Sequence, residues 1–318
     1  MIHRRRFFVA PLALAAPAAF AQDKKPARIV VLSRSPVPEL GDFRDQMRAL
    51  GWVEGRTLIV EEPYAGDSTA RLHELAVEVA HGAPDVIVAG HSEAAQAARA
   101  ATATIPIVFT TSDPVRDGLV ASFARPGRNL TGLSQGDFEL SAKRVEVIRD
   151  AFPALGSVAI LHTSSASSTR QFEASRRAAT ALRIEGVGVE IDSEAALAPA
   201  IEAALRGGAQ GIVVNTSPLF RTLGATIAVL AARFRVPAIY ENAATVEAGG
   251  LMSYGPDWRR IYLRMAVLVD RILKGAKPGD IPVERWDRFE LVINLRTAAA
   301  LGLTISPALV ALADRVIE

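Results

Sequence analysis

The sequence predicts an α/β fold of two similar lobes, each a parallel sheet covered by helices on both faces. Three observations carry this reading. Short apolar runs without strict alternation recur between amphipathic helical stretches, and the series restarts near residue 155. The chain, at 318 residues, is also about twice the length of a typical single domain.

Residues 27–32 (Ala-Arg-Ile-Val-Val-Leu) read as the first buried strand, and Phe43, Met47 and Leu50 lie at helical spacing in a helix over 40–50 that Gly51 stops. A strand over 57–61 follows. Ser68 then caps a helix whose Leu72, Leu75, Ala76 and Val79 form one stripe and which runs to His81-Gly82. A strand at 85–89, an alanine-rich helix from Ser92 to about 103 and a strand at 105–109 complete a βαβαβαβ series with right-handed crossovers. In the second half, strands at 157–161, 186–191, 211–214 and 236–240 alternate with helices near 167–184, 194–206 and 219–234. Residues 125–132, between the halves, are rich in turn formers and read as either a crossover between lobes or one long surface loop. The tail adds a strand at 251–254, a helix over 257–273, a strand at 289–294 and a closing helix after Ser306, where two more crossovers fit. The expected architecture is therefore two Rossmann-like lobes.

The first 21 residues read as targeting, not fold. Arg4, Arg5 and Arg6 precede an apolar stretch over 7–20 that ends in Ala19-Phe20-Ala21, which predicts export and cleavage before Gln22. The stretch is about 14 residues long, short of the roughly 20 that span a bilayer, and it contains Pro11 and Pro17. The arginines suit the general secretory route or the twin-arginine route equally. Their removal leaves 33 basic side chains against 34 acidic ones, so charge gives no reason to invoke nucleic acid. Cysteine is absent, which removes disulfides, thiolate metal sites, a thiol nucleophile and a lipidated anchor.

No phosphate-binding glycine loop, zincin helix or nucleophile elbow is present. A triad of His162, Ser164 and Asp113 can be drawn, but no spacing supports it. His73 and His81 read as solvated. His91 and His162 differ, because each directly follows the C-terminal end of a strand, where ligands collect in open α/β sheets. Polar residues cluster at the same ends in both halves: Ser33 and Ser35, His91 and Ser92, Thr111 with Ser112 and Asp113, His162, Asn215, and Tyr240 with Glu241. Ser92 and Ser217 would start helices, either capping them only or also placing free N–H groups against an anion. Asp113 and Glu241 would take a ligand ammonium or cap turns, and Tyr64, Tyr240 and Tyr254 would stack on a ring or pack as core.

Several ordered segments resemble one family: Leu50-Gly51-Trp52-Val53-Glu54-Gly55-Arg56, Ile105-Pro106-Ile107-Val108-Phe109 with Asp113-Pro114-Val115, Gly249-Gly250-Leu251-Met252-Ser253-Tyr254-Gly255, and Phe289-Glu290-Leu291-Val292-Ile293-Asn294-Leu295. The family is the substrate-binding proteins of ABC transporters with the type I periplasmic-binding-protein fold, in the branch similar to tryptophan/phenylalanine-binding lipoproteins. The resemblance implies lobes joined by three crossovers, with 22–130 plus about 255–287 in the first and 131–254 plus about 288–318 in the second. It implies a periplasmic monomer, no catalysis and no cofactor; the lipid-bearing Cys that the lipoprotein relatives use as an anchor is absent here, so no stable membrane anchor is expected. A small polar ligand, an amino acid or an aromatic or carboxylate-bearing molecule, would be held in the cleft by a hinge motion and delivered to an ABC permease. A sensor subunit of a membrane receptor and an exported hydrolase are the alternatives. In relatives, positions 91 and 162 often carry a small hydroxyl residue and an Asn; two imidazoles here would bond a carboxylate or hydroxyl, stack on a ring, or make binding sensitive to pH near 6–7.

Overall fold

The computed structural model describes residues 25–66 and 68–318; the expected signal segment lies outside the described residues. Chain order begins β1 (Ala27–Leu32), α1 (Leu40–Ala49), β2 (Leu58–Glu61), α2 (Thr69–His81), β3 (Val86–Ala89), α3 (Ser92–Ala101), β4 (Ile107–Thr111) and β5 (Leu130–Ser134). It continues with α4 (Asp137–Ala151), β6 (Ser157–His162), α5 (Ala166–Ala181), β7 (Glu185–Glu190), α6 (Glu194–Arg206) and β8 (Ile212–Val214). Then come α7 (Pro218–Thr222), α8 (Gly224–Phe234), β9 (Ala238–Tyr240), α9 (Ala243–Glu247), β10 (Met252–Pro256) and α10 (Trp258–Leu273). The chain ends with β11 (Glu284–Arg285), β12 (Phe289–Asn294), α11 (Leu295–Leu301), α12 (Pro307–Ala311) and β13 (Arg315–Ile317).

Two sheets form. The first, ordered β11-β5-β4-β3-β1-β2, is parallel throughout. The second, ordered β13-β12-β10-β9-β8-β6-β7, is parallel except where β12 runs against β10. Both faces of each sheet are covered, which is why the central strands read as continuous apolar runs. On one face of the first sheet, Ile261, Tyr262, Met265 and Val269 of α10 pack on Ile29, Val31, Val86 and Val88, with Phe43 and Met47 of α1 beside them. Leu72 and Leu75 of α2 and the alanines of α3 close the other face.

The chain crosses between the sheets after Ser134, between Pro256 and Trp258, and between Arg285 and Phe289. The turn-rich 125–132 segment, which the sequence reads as either a crossover or one long surface loop with the second lobe starting at 131, precedes the first crossing. That segment is a turn through the left-handed Gly127 and Arg128 (φ 67° and 60°), and it feeds β5 alongside β4 in the first sheet. The helix expected over 219–234 is broken at Leu223 into α7 and α8. Gly224 stands there against the Thr245 side chain, where a Cβ would collide with Oγ1.

Candidate functional site

In each sheet the strand order reverses beside the first strand of its lobe, between β1 and β3 and between β6 and β8. Loops leaving the carboxyl ends of such strands diverge and leave a crevice. The two crevices face each other, and their loops enclose a cavity of about 220 Å³.

Ser35, His91, Ser92, Thr111 and Ser112 line this cavity from the first lobe. Thr111 donates its hydroxyl proton to Asp117 Oδ2 (3.0 Å), so the 2.5 Å contact between Thr111 and Ser92 has the Ser92 hydroxyl as donor. Ser92 is the first residue of α3 and does not cap it. The cap is His91, whose Nδ1 accepts the Ala94 N–H at 3.3 Å. That bond fixes the neutral tautomer: Nδ1 is the acceptor and Nε2 carries the proton. Burial, reinforced by Arg221 and then Arg34, pulls the His91 imidazole down to about 3. The expected pH sensitivity near 6–7 is thereby corrected for this residue, because a desolvated imidazole acted on by the charges of Arg221 and Arg34 stays neutral throughout that range.

The second lobe contributes Thr163, Ser165, Ser167, Gln171 and Thr216. Gln171 is held by Thr216, donating to its carbonyl (3.2 Å) and accepting its N–H (2.9 Å). Ser217 caps α7 through the Phe220 N–H at 3.3 Å, as its position before Pro218 predicts.

Six of the sequence candidates do not line the cavity. Ser33 is 3% exposed and accepts from the Ser35 N–H. Asp113 accepts the Arg116 N–H at 3.1 Å, the turn reading made plausible by Pro114. His162 stacks on Phe172 with ring centroids 4.4 Å apart and an 18° tilt, behind the second lobe's wall. Asn215 is fully buried and accepts from Ser175 Oγ at 3.0 Å, so its neighbour Thr216 takes the place at the wall. Tyr240 packs in the core, and burial pushes its phenol up. Glu241 is 1% exposed and accepts from Trp258 Nε1 (2.9 Å) and Asn242 Nδ2 (2.8 Å). Of the three tyrosines offered by the sequence reading, Tyr64 lines the cavity, whereas Tyr254 lies against Phe289. Among the described residues, neither His91 nor His162 hydrogen-bonds a serine or threonine hydroxyl.

The sequence reading missed the charged corner of the cavity. Arg221 of α7 stacks on Trp258, its guanidinium carbon 4.1 Å from the ring centroid. Its side chain is 10% exposed, and Nη1 lies 3.9 Å from Glu39 Oε2, too far for a hydrogen bond. Beside it, Arg34 pairs with Glu93 at 3.0 Å. The lobes also meet directly across the cleft. Arg170 of α5 pairs with Asp117 at 2.6 Å, Thr222 Oγ1 lies 3.3 Å from Ser35 Oγ, and Ser112 Oγ lies 3.4 Å from Ser167 Oγ. With these contacts made, the lobes stand closed on the cavity.

A family model described as ABC transporter substrate binding protein matches residues 38–317. The tyrosine-binding protein of Clostridioides difficile (strain R20291) is 28% identical over 255 residues, 80% of this chain and 73% of that one. Among solved structures, a conserved domain protein from Vibrio cholerae O1 biovar El Tor is similar, with a TM-score of 0.84 at 29% identity over 92% of this chain and 100% of that one. An ABC domain in complex with L-Trp from Streptococcus pneumonia shares the fold with a TM-score of 0.82 at 23% identity, over the same shares of the two chains. The two α/β lobes are those of a type I periplasmic binding protein. With its matched region running from α1 to the last strand, the chain belongs to the ABC transporter substrate binding protein family.

Proposed function

We propose that the protein is an exported receptor that captures a small polar ligand between its lobes and delivers it to an ABC permease. The ligand is an amino acid or an aromatic or carboxylate-bearing molecule. The observation that carries the reading is the cavity itself, enclosed by the carboxyl-end loops of both sheets and lined from both lobes by hydroxyl groups. Such a site discriminates by hydrogen bonds and closes by hinge motion, so that a permease meets a different lobe arrangement in the liganded protein. The tyrosine-binding relative supports an aromatic amino acid as the first class to try.

Native mass spectrometry of the chain from Gln22, followed by thermal shifts with amino acids, aromatic acids, nucleosides and sugars, tests this. At a hundred times Kd a ligand stabilises by about 2.7 kcal/mol, enough to raise Tm by several degrees. A retained small molecule or a shift with an amino or aromatic acid is the expected result. A shift only with sugars or nucleosides overturns the ligand class, and no shift with any of them overturns the reading.

A further inference from the structure

From the charged corner of the cavity we infer that His91 and Arg221 together form an acceptor-binding clamp that takes the ligand's carboxylate. The inference rests on the reading of the cavity as a ligand site. It adds which group of the ligand is held at this corner and which residues hold it.

The clamp is visible in what its two members are already bonded to. His91 spends Nδ1 on the Ala94 N–H, so Nε2–H is the donor left over, and that atom is buried without a partner. Arg221 has one face laid on Trp258, which leaves only its edge to donate, and Nη1 on that edge is likewise buried without a hydrogen bond. Both residues line the same cavity, and Arg221 is the strongest charge acting on His91. Two buried donors from opposite lobes, one of them cationic, call for an oxygen acceptor that spans them, and a carboxylate offers two oxygens. The nearby Arg34 adds positive potential, though Glu93 offsets it. Glu39 Oε2 lies 3.9 Å from Arg221 Nη1, close enough to favour the charged guanidinium but too far to satisfy that donor.

The corner is also held rigid. Trp258 is pinned by its Nε1–H to Glu241, and Glu241 in turn receives Asn242 Nδ2–H. The sequence offered Glu241 as either a partner for a ligand ammonium or a turn cap. In the structure it is a positioning residue, which fixes the indole that fixes Arg221. Because the clamp draws on α3 in one lobe and α7 in the other, an anion held in it also ties the lobes together.

Calorimetry on the chain from Gln22 separates the possibilities. The probes are L-tyrosine and L-tryptophan, their deaminated acids 3-(4-hydroxyphenyl)propionate and indole-3-propionate, and their decarboxylated amines tyramine and tryptamine. The clamp predicts that the preferred ring binds as amino acid or acid and that the amine is weaker by roughly a hundredfold. His91→Asn keeps a capping acceptor but removes the Nε2 donor, and should weaken the acid roughly tenfold with Tm nearly unchanged. Arg221→Gln should weaken it further. An amine that binds as tightly as its acid overturns the clamp, as does a folded His91→Asn protein whose affinity for the acid stays within about twofold. Binding by none of the six compounds to folded protein overturns the aromatic-ligand reading beneath it, a failure distinct from equal binding of acid and amine.

Discussion

An imidazole that stays neutral inside a folded protein makes that protein sensitive to acid, and His91 gives this a magnitude. Its ordinary value is 6.5, and in the cavity wall it is about 3, because burial strips hydration from the charged form and Arg221 and Arg34 repel it. Between those values the unfolded chain binds a proton that the folded chain refuses. The contribution to stability is therefore complete above pH 6.5 and is lost progressively as the pH falls toward 3. Each pH unit is worth about 1.36 kcal/mol, so going from pH 6.5 to pH 5 removes about 2 kcal/mol, an upper figure for a ring that borders a cleft. His91→Asn keeps an acceptor for the Ala94 N–H and removes the titration, while every other acidic and basic group is common to both proteins. Urea unfolding of the two proteins at pH 7.5, 6.5, 5.5 and 5.0 should show the variant gaining on the parent by up to about 2 kcal/mol below pH 6.5, with equal slopes in urea. Stability curves that stay parallel from pH 7.5 to 5.0 would refute the buried, neutral imidazole. The same reasoning fixes the pH dependence of binding. A carboxylate in the corner raises the His91 value from about 3, so affinity should be flat between pH 6 and 8 and tighten only in stronger acid, whereas an ordinary imidazole would put the break near 6.5.

Arg170→Met should leave Asp117, whose carboxylate is 1% exposed, with Thr111 as its remaining side-chain donor, costing about 1–3 kcal/mol in urea unfolding and weakening ligand binding by favouring open lobes. His162→Ala removes the stack on Phe172 and should cost about 1–2 kcal/mol in stability while ligand affinity, measured by calorimetry, stays within about twofold. Glu241→Ala should unpin Trp258 and weaken the carboxylate ligand, whereas Glu241→Gln, which still offers Trp258 an acceptor, should restore most of the affinity. Gly255→Ala would drive a Cβ into the Glu241 carbonyl where β10 passes it, and thermal melts should report a loss of about 3 kcal/mol.

How far the sequence could be read follows from what each element buries. The central strands were legible because both faces of their sheets are dry, and α10 because its apolar stripe is unbroken. β5 was missed because its own bonds are polar: Thr131 donates to the Ile281 carbonyl, Ser134 donates to the Ser112 carbonyl, and Gly132 passes Phe109 too closely for a side chain. α4 was missed for a related reason, since it turns Arg144 inward to the Tyr254 carbonyl and Thr216 and so breaks the apolar period. At the site, Ser35, His91, Ser92, Thr111 and Ser112 line the cavity as their places at strand ends suggest, but the facing of the other six candidates was not legible. Asn215 points into the core while Thr216 lines the wall, a difference of one residue in extended backbone that no composition signal encodes. Arg221 was the larger omission, and it had a signal. Ser217-Pro218 marks a helix beginning at a strand's carboxyl end, and helical side chains lean back toward the N-terminus. An arginine four residues past such a cap is therefore aimed at the crevice, so the first turn of each such helix belongs to the search as much as the loop before it.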